Sequence, residues 1–277
     1  MNLSKIMFRL LLLCILSSTV SAGLVLNPQR IVVLDRERAT SLELLNTSEE
    51  TARYQIYFEH KKMLDDGSIV DVTDADEKKI RAGDMIRYSP RRVDIKSKGS
   101  QTIRLAVRRP KNLPDGEYIS HLALKQIPNK QAPVIDTVDG GSSQEKELNL
   151  KVQPILKIAI PVIVRKGTLN AKALLSGISI TKISDENQFI QFTLHREGNR
   201  SLYGDVEIYE LDQEDNTSTR IGYVKGIALY DPTLSRLVKV QLDQATLTKG
   251  KKLLVRFDEK GKYGGTNQVE QVYSIQN

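Results

Sequence analysis

The sequence predicts an all-β chain built as two immunoglobulin-like β-sandwich domains in tandem, and three observations support this. Its 277 residues are too many for one ordinary sandwich and suit two domains of roughly 100 to 150 residues each. Apolar residues make up 40% and charged residues 27%, which is enough for packed cores and too polar for a multi-span membrane protein. Short segments rich in Val, Ile, Leu and Tyr recur between polar, Gly, Asp and Asn clusters, and helical periodicity over three turns is hard to find.

The first residues read as an export signal. Lys5 and Arg9 form a positive head, Leu10 to Leu16 is an uncharged apolar run, and Val20-Ser21-Ala22 offers small residues for cleavage before Gly23. The run is far shorter than the roughly 20 residues that span a bilayer, which disfavours an anchor helix. Leu13 is too large to precede a lipidated Cys14. Residues 1–22 are therefore expected to be a removed signal peptide. Removal takes away two cations and the single cysteine, leaving a formal charge of +5 in place of +7. An exported chain without cysteine has no disulfide, zinc-thiolate site or thiol nucleophile.

Strands are expected in the first half at Leu24 to Leu34, Thr40 to Asn46, Arg53 to Glu59, Gln101 to Val107, Glu117 to Ile127 and Glu147 to Val164. The runs starting at Arg53 and Gln101 alternate cleanly between apolar and polar, the mark of one buried and one wet face. Asn129 to Gln144, with two prolines and Gly140-Gly141-Ser142-Ser143, reads as a flexible loop. The second half is expected to hold strands at Leu174 to Ile183, Phe189 to Leu194, Leu202 to Leu211, Ile221 to Tyr230, Arg236 to Leu242, Lys252 to Phe257 and Val269 to Ile275. Pro161 and Arg165-Lys166-Gly167 place the join, giving domains at 23–164 and 165–277.

Catalytic groups do not assemble. His60, His121 and His195 lack metal-ligand spacing and read as surface or half-buried strand residues. Asp74, Asp76 and Glu77 lack the glycine and glutamate of a calcium loop. No phosphate loop or nucleophile elbow is present. The expectation is a non-enzyme with no cofactor and no metal. Arg87, Arg91, Arg92, Arg104, Arg108, Arg109 and Lys111 suggest a nucleic-acid footprint, but export and strand alternation favour a solvated face, with an acidic protein partner left open.

The segment from Glu147 to Pro161 is the most informative. In extended conformation Leu148, Leu150 and Val152 share one face, and Asn149, Lys151 and Gln153 share the other. One reading is an ordinary last strand of its own domain. The other is a strand that reaches past its sheet and offers its apolar row to a second protein, which edge strands normally avoid.

Arg87-Tyr-Ser-Pro-Arg-Arg-Val, Gly99-Ser-Gln-Thr-Ile-Arg-Leu, Leu113-Pro-Asp-Gly-Glu-Tyr-Ile-Ser-His-Leu and Ile127-Pro128, in that order and spacing, resemble the N-terminal domain of periplasmic pilus chaperones of the chaperone/usher pathway. The resemblance covers roughly residues 23 to 165 and marks a divergent branch: the long Gly/Ser loop and Pro154 are unusual, and a domain-two disulfide seen in some members is absent. It implies two immunoglobulin-like domains in an L shape, and a periplasmic protein that binds a pilin-like subunit by donor-strand complementation and passes it to an outer-membrane usher. Export and strand alternation point to no nucleic-acid partner, and the short apolar run to no stable membrane insertion. The resemblance also implies that Arg30 and Lys157 hold the subunit's C-terminal carboxylate and that Leu148, Leu150 and Val152 form the donated row. A forked guanidinium and an ammonium suit such a carboxylate. The alternative is a secreted structural or adhesive fimbrial component of tandem immunoglobulin-like domains. A pilin would carry an N-terminal donor extension, whereas here strand pattern begins almost at Gly23.

Overall fold

The computed structural model describes residues 23–72, 80–128, 154–184, 187–212, 217–243, 251–263 and 265–275. The expected signal peptide, the acidic Asp74 to Glu77 segment, the Gly/Ser loop and the row of Leu148, Leu150 and Val152 lie outside the described residues. Among those described, regular structure is strand throughout, apart from 3-10 turns at Ala82–Met85 and Gly261–Tyr263.

The first half runs β1 (Leu24–Asn27), β2 (Ile31–Val33), β3 (Ala39–Asn46), β4 (Ala52–Glu59), β5 (Lys61–Met63) and β6 (Ile69–Asp71). It continues with β7 (Ile86–Ser89), β8 (Arg92–Ile95), β9 (Ser100–Val107), β10 (Gly116–Ile127) and β11 (Lys157–Lys166). One sheet has the order β1-β3-β9-β7 and the facing sheet the order β2-β11-β10-β4-β8. Alternation explains the sandwich: Leu42 and Leu44 of β3, Ile103 and Leu105 of β9, Tyr54 and Ile56 of β4, and Leu122 and Leu124 of β10 meet in one buried cluster. The expected segment Leu24 to Leu34 divides into two strands. β1 pairs antiparallel with β3 in one sheet, and after the crossover at Pro28 to Arg30 β2 pairs parallel with β11 in the other. A single strand cannot fill the edges of both sheets, so the chain changes sheets midway.

The second half contains β12 (Ala171–Ser184), β13 (Asn187–Gly198), β14 (Leu202–Leu211), β15 (Ser218–Leu229), β16 (Ser235–Gln241), β17 (Lys252–Glu259) and β18 (Gln268–Ser274). Sheets β12-β13-β16 and β15-β14-β17-β18 enclose a second core around Phe192, Val206, Leu229 and Phe257. Three strands facing four is the strand division of an immunoglobulin-like sandwich.

The two cores are not insulated from each other. Ile163 of β11 and Met63 of β5 are buried in the second core, and Val32 and Ile119 pack against it. The outer face of the β2-β11-β10 region is therefore an apolar seam. Polar groups stitch the same seam: Glu117 Oε1 accepts from Arg165 Nε at 2.8 Å, Glu117 Oε2 accepts from the Ser201 amide at 2.8 Å, and Arg165 Nη1 donates to the Tyr263 carbonyl. After β11 the chain turns at Gly167, whose φ of +69° is left-handed. Asp115 fills the space where a side chain there would stand and accepts from the Thr168 amide at 3.0 Å.

The β5–β6 hairpin, absent from the sequence expectation, forms a third link. Its turn carbonyl at Asp65 accepts from the Leu237 amide at 2.6 Å, and the Met63 carbonyl accepts from Thr233 Oγ1 at 2.8 Å. Three-residue strands carry too little periodicity to stand out in a sequence, and this hairpin keeps its place by bonding to the second domain.

Candidate functional site

The site is built on the outer face of the sheet β2-β11-β10-β4-β8. Leu122 and Leu124 point into the first core, so Ile119, His121 and Ala123 point the other way. Register places Pro161 beside His121 and His121 beside Glu59. Ile31 lies opposite Val162, so Arg30 stands level with Pro161. Arg30, Pro161, His121 and Glu59 thus form one row across four strands.

Pairing with β2 covers β11 only from Val162 to Val164. From Lys157 to Pro161, β11 is paired with β10 and has no strand on its other side among the described residues. Ile155 and Leu156, just before it, are 50% and 39% exposed. The sheet crossover at Pro28 to Arg30 lets β2 begin only at Ile31 and leaves this edge open. Unpaired strand groups next to exposed aliphatic side chains are suited to accept an added strand.

Arg30 closes the inner end of the open edge. It is 9% exposed, and its Nη2 donates to Tyr230 Oη at 2.6 Å. The guanidinium carbon stands 3.8 Å from the Tyr203 ring centre, 5.0 Å from Tyr230 and 5.8 Å from Tyr263. Tyr203 and Tyr263 meet edge to face at 5.1 Å. Three tyrosines of the second domain therefore surround a cation of the first. The Arg30 Nε is buried without a hydrogen-bond partner, a donor facing no acceptor.

Lys157 starts β11, four residues before Pro161, or about 13 Å along the strand. No contact joins it to Arg30 among the described residues. Its ammonium pairs with Glu59, and that hydrogen bond raises its pKa. Glu59 also pairs with Lys61 at 3.2 Å, and Lys61 pairs with Asp71. Burial pushes the Glu59 carboxyl up, but hydrogen bonds from Lys157, Lys61 and Tyr57 outweigh it and hold the group below its usual range. Asp71 is held low by its hydrogen bond from Lys61. The outer face thus carries Lys157, Glu59, Lys61 and Asp71 as one linked cluster, with Arg30 on the other side of His121.

His121 departs from the expectation of a surface or half-buried histidine. It is 5% exposed, with Tyr230 edge-on to its ring at 6.5 Å. Burial first, then the charges of Lys61 and Arg30, lower its pKa to about 4 against the opposing pull of Glu59 and Asp71. A base whose folded pKa lies below its unfolded value favours folding while it is neutral. That contribution is complete above pH 6.5 and is lost as the pH falls toward about 4. Denaturant titrations should show stability dropping by about 3 kcal/mol over this window, and His121→Gln should flatten the drop. An equal slope in the variant would assign the loss to other groups.

The basic cluster divides into different roles. Arg87 and Arg104 are exposed on the outer face of the first sheet, as expected for a solvated face. Arg109 instead serves structure: its guanidinium donates to the carbonyls of Val33, Leu34, Glu37 and Arg165, closing the end of β2 over β11. Among the described residues no group of three or more His, Cys, Asp or Glu is placed to hold a metal ion, and no helix is long and apolar enough to cross a membrane.

Lys61 and the three tyrosines were not visible as site residues in the sequence. The tyrosines lie in a different domain from Arg30, and Lys61 sits on a hairpin without a pattern of its own. The parity of Lys61 with Glu59, two residues apart, was the one available hint.

No family model matches the chain, and no curated protein matches it. Solved structures do. The chain is similar to the YadV chaperone at 14% identity and a TM-score of 0.47, covering 91% of this chain and all of that one. It is similar to the CupB2 chaperone of Pseudomonas aeruginosa at 13% identity and a TM-score of 0.44, covering 90% and 100%. A third is the CsuC–CsuE chaperone–tip adhesion subunit pre-assembly complex of the Csu pili of Acinetobacter baumannii, at 16% identity and a TM-score of 0.45, covering 90% of this chain and 98% of that one. The solved structures to which this chain is similar also include the class 5 fimbriae chaperone CfaA, at 12% identity and a TM-score of 0.43, covering 90% of this chain and 98% of that one.

Proposed function

We propose that this protein is a periplasmic chaperone that holds a pilin-like subunit by donor-strand complementation and delivers it to an outer-membrane usher, without catalysis or cofactor. One observation carries the reading: the open edge of β11 ends at a buried arginine with an unpartnered donor. An added strand would pair along Lys157 to Pro161 and bring its terminal carboxylate toward Arg30. The resemblance of residues 23 to 165 to pilus chaperones supports the same reading, and so does the apolar row of Leu148, Leu150 and Val152 in the sequence preceding β11.

The magnitudes are adequate. Burying three aliphatic side chains is worth about 5 to 9 kcal/mol in all, and strand hydrogen bonds add about 0.5 to 1.5 kcal/mol each. Ordering and loss of rigid-body freedom offset part of this sum. The decisive test is co-purification from the periplasm with sequencing of the bound polypeptide. A partner with a pilin-like strand pattern is expected, and Leu150→Asp should lose it while leaving the melting temperature of the free protein unchanged. If Leu150→Asp unfolds the free protein, the row belongs to the protein's own core and the reading fails.

A further inference from the structure

We infer that the outer face of the sheet β1-β3-β9-β7 is a membrane-docking surface, on which Arg87, Arg104 and Arg108 engage the phosphates of anionic lipid headgroups. The surface is separate from the subunit site of the proposed function, and its test needs no subunit.

Register builds the surface. Ile103, Leu105 and Val107 of β9 point into the first core, so Arg104, Ala106 and, one residue past the strand, Arg108 point outward. Arg87 of β7 stands opposite Ala106, and Ser89 opposite Arg104. Arg104 and Arg108 are therefore the two diagonal neighbours of Arg87, about 7 to 8 Å away across the strands. On the other side of β9, Ala39 lies opposite Ala106 and Ser41 opposite Arg104. Three exposed guanidiniums thus rise around an exposed floor of alanine and serine.

These charges are uncompensated. Arg53 and Arg256, on other sheets, pair with Asp94 and Glu270. Among the described residues the side chains of Arg87, Arg104 and Arg108 have no ion-pair or hydrogen-bond partner. Glu43, opposite Thr102, is the one acidic residue on the strands of this face among the described residues, and it makes no ion pair with Arg104.

Two features favour a lipid surface over an acidic polypeptide. With only small side chains between them, the three guanidiniums lie in one plane. A layer of headgroups offers phosphate to all three whatever its lateral position, whereas a polypeptide would have to fold three carboxylates into matching places. Each guanidinium can also fork two hydrogen bonds to phosphate oxygens. Secondly, Val25 and Leu45, 43% and 39% exposed, stand opposite each other on the same face. Leu45 lies four residues, about 13 Å, along β3 from the level of Arg104. Aliphatic side chains coplanar with arginines suit the boundary between headgroups and acyl chains, where a protein lies on a bilayer without spanning it. The facing sheet carries the open β11 edge and the seam with the second domain, so a docked membrane leaves both uncovered.

The probe is co-sedimentation of the purified protein with vesicles of phosphatidylglycerol and phosphatidylcholine in equal parts, or of phosphatidylcholine alone. The wild type should bind the anionic vesicles and not the neutral ones. Binding should weaken steeply as added salt shortens the screening length from about 10 to about 3 Å. Each of Arg87→Gln, Arg104→Gln and Arg108→Gln should weaken it about fivefold, the factor one basic residue contributes near an anionic membrane, and the triple variant about a hundredfold. Lys172→Gln with Lys225→Gln and Lys239→Gln removes the same charge from exposed positions of the second domain and should leave binding nearly unchanged. An arginine triple variant that binds like the wild type, or a lysine triple variant that loses as much as the arginine one, overturns the inference. So does a wild type that ignores anionic vesicles: retention on immobilised polyglutamate would then give the face to an acidic polypeptide, and no retention would leave it to solvent.

Discussion

Arg30→Ala is expected to abolish partner capture and also to lower the stability of the free protein by about 2–3 kcal/mol, read from denaturant midpoints. The first effect follows from loss of the fork that would hold a carboxylate. The second follows from the domain junction, where Arg30 stacks over Tyr203 and donates to Tyr230. A desolvated cation–π contact is worth about 2 kcal/mol and a hydrogen bond about 1. From sequence alone, Arg30 resembles a surface charge that could be removed without penalty to the fold. Its burial among three tyrosines changes that expectation, so Arg30→Lys is the better probe of binding. A lysine keeps the charge and part of the stack but lacks the fork, so capture should weaken more than stability. An Arg30→Ala variant that unfolds at the wild-type midpoint would show that the cross-domain stack does not form in solution.

Glu117→Ala should destabilise the protein by about 3–5 kcal/mol, the usual cost of stranding one member of a buried ion pair. The Glu117 side chain is fully buried and that of Arg165 is 8% exposed. The carboxylate serves both Arg165 and the amide of Ser201, so truncation leaves a buried guanidinium and an unbonded N–H at the same junction. Replacing both partners with neutral residues, as in Glu117→Gln with Arg165→Met, should recover much of the loss. Equilibrium unfolding followed by a probe in each domain checks a further consequence. The wild-type transitions should coincide because Ile163 and Met63 lie in the second core, and in Glu117→Ala they should separate. Coincident transitions in the variant would assign the coupling to the apolar seam alone.

The strands that alternated over seven or more residues were legible in sequence. β3, β4, β9 and all seven strands of the second half fall where apolar periodicity puts them. β10 was also found, though it is buried on both faces around Ala123 and Leu124 and therefore reads as a run. The short strands β5, β6, β7 and β8 were missed because three or four residues show at most two alternations. The division of the first strand between two sheets was missed for another reason: both pieces have the same pattern, and only pairing partners distinguish them.

The candidate site was partly legible. Arg30 stands at the domain junction, where both anchor candidates were expected, and the Lys157 ammonium pairs there with Glu59 of β4. Arg109 illustrates the limit, since its position in a cluster of arginines gave no sign that it closes four backbone carbonyls.

The sequence by itself determined the all-β class, the strands of the second domain, the apolar row before β11 and the candidacy of Arg30. The first three depend on local pattern, which reads burial along one strand at a time, and the fourth on the resemblance of residues 23 to 165 to pilus chaperones. Only the tertiary structure decided which edge of β11 is open, which tyrosines enclose Arg30, and which carboxylate pairs with Lys157. Those features join residues 200 positions apart, as Arg30 and Tyr230 are, and more, as Arg30 and Tyr263 are, and such contacts are set by sheet register and domain docking. Neither leaves a trace in the order of neighbouring residues.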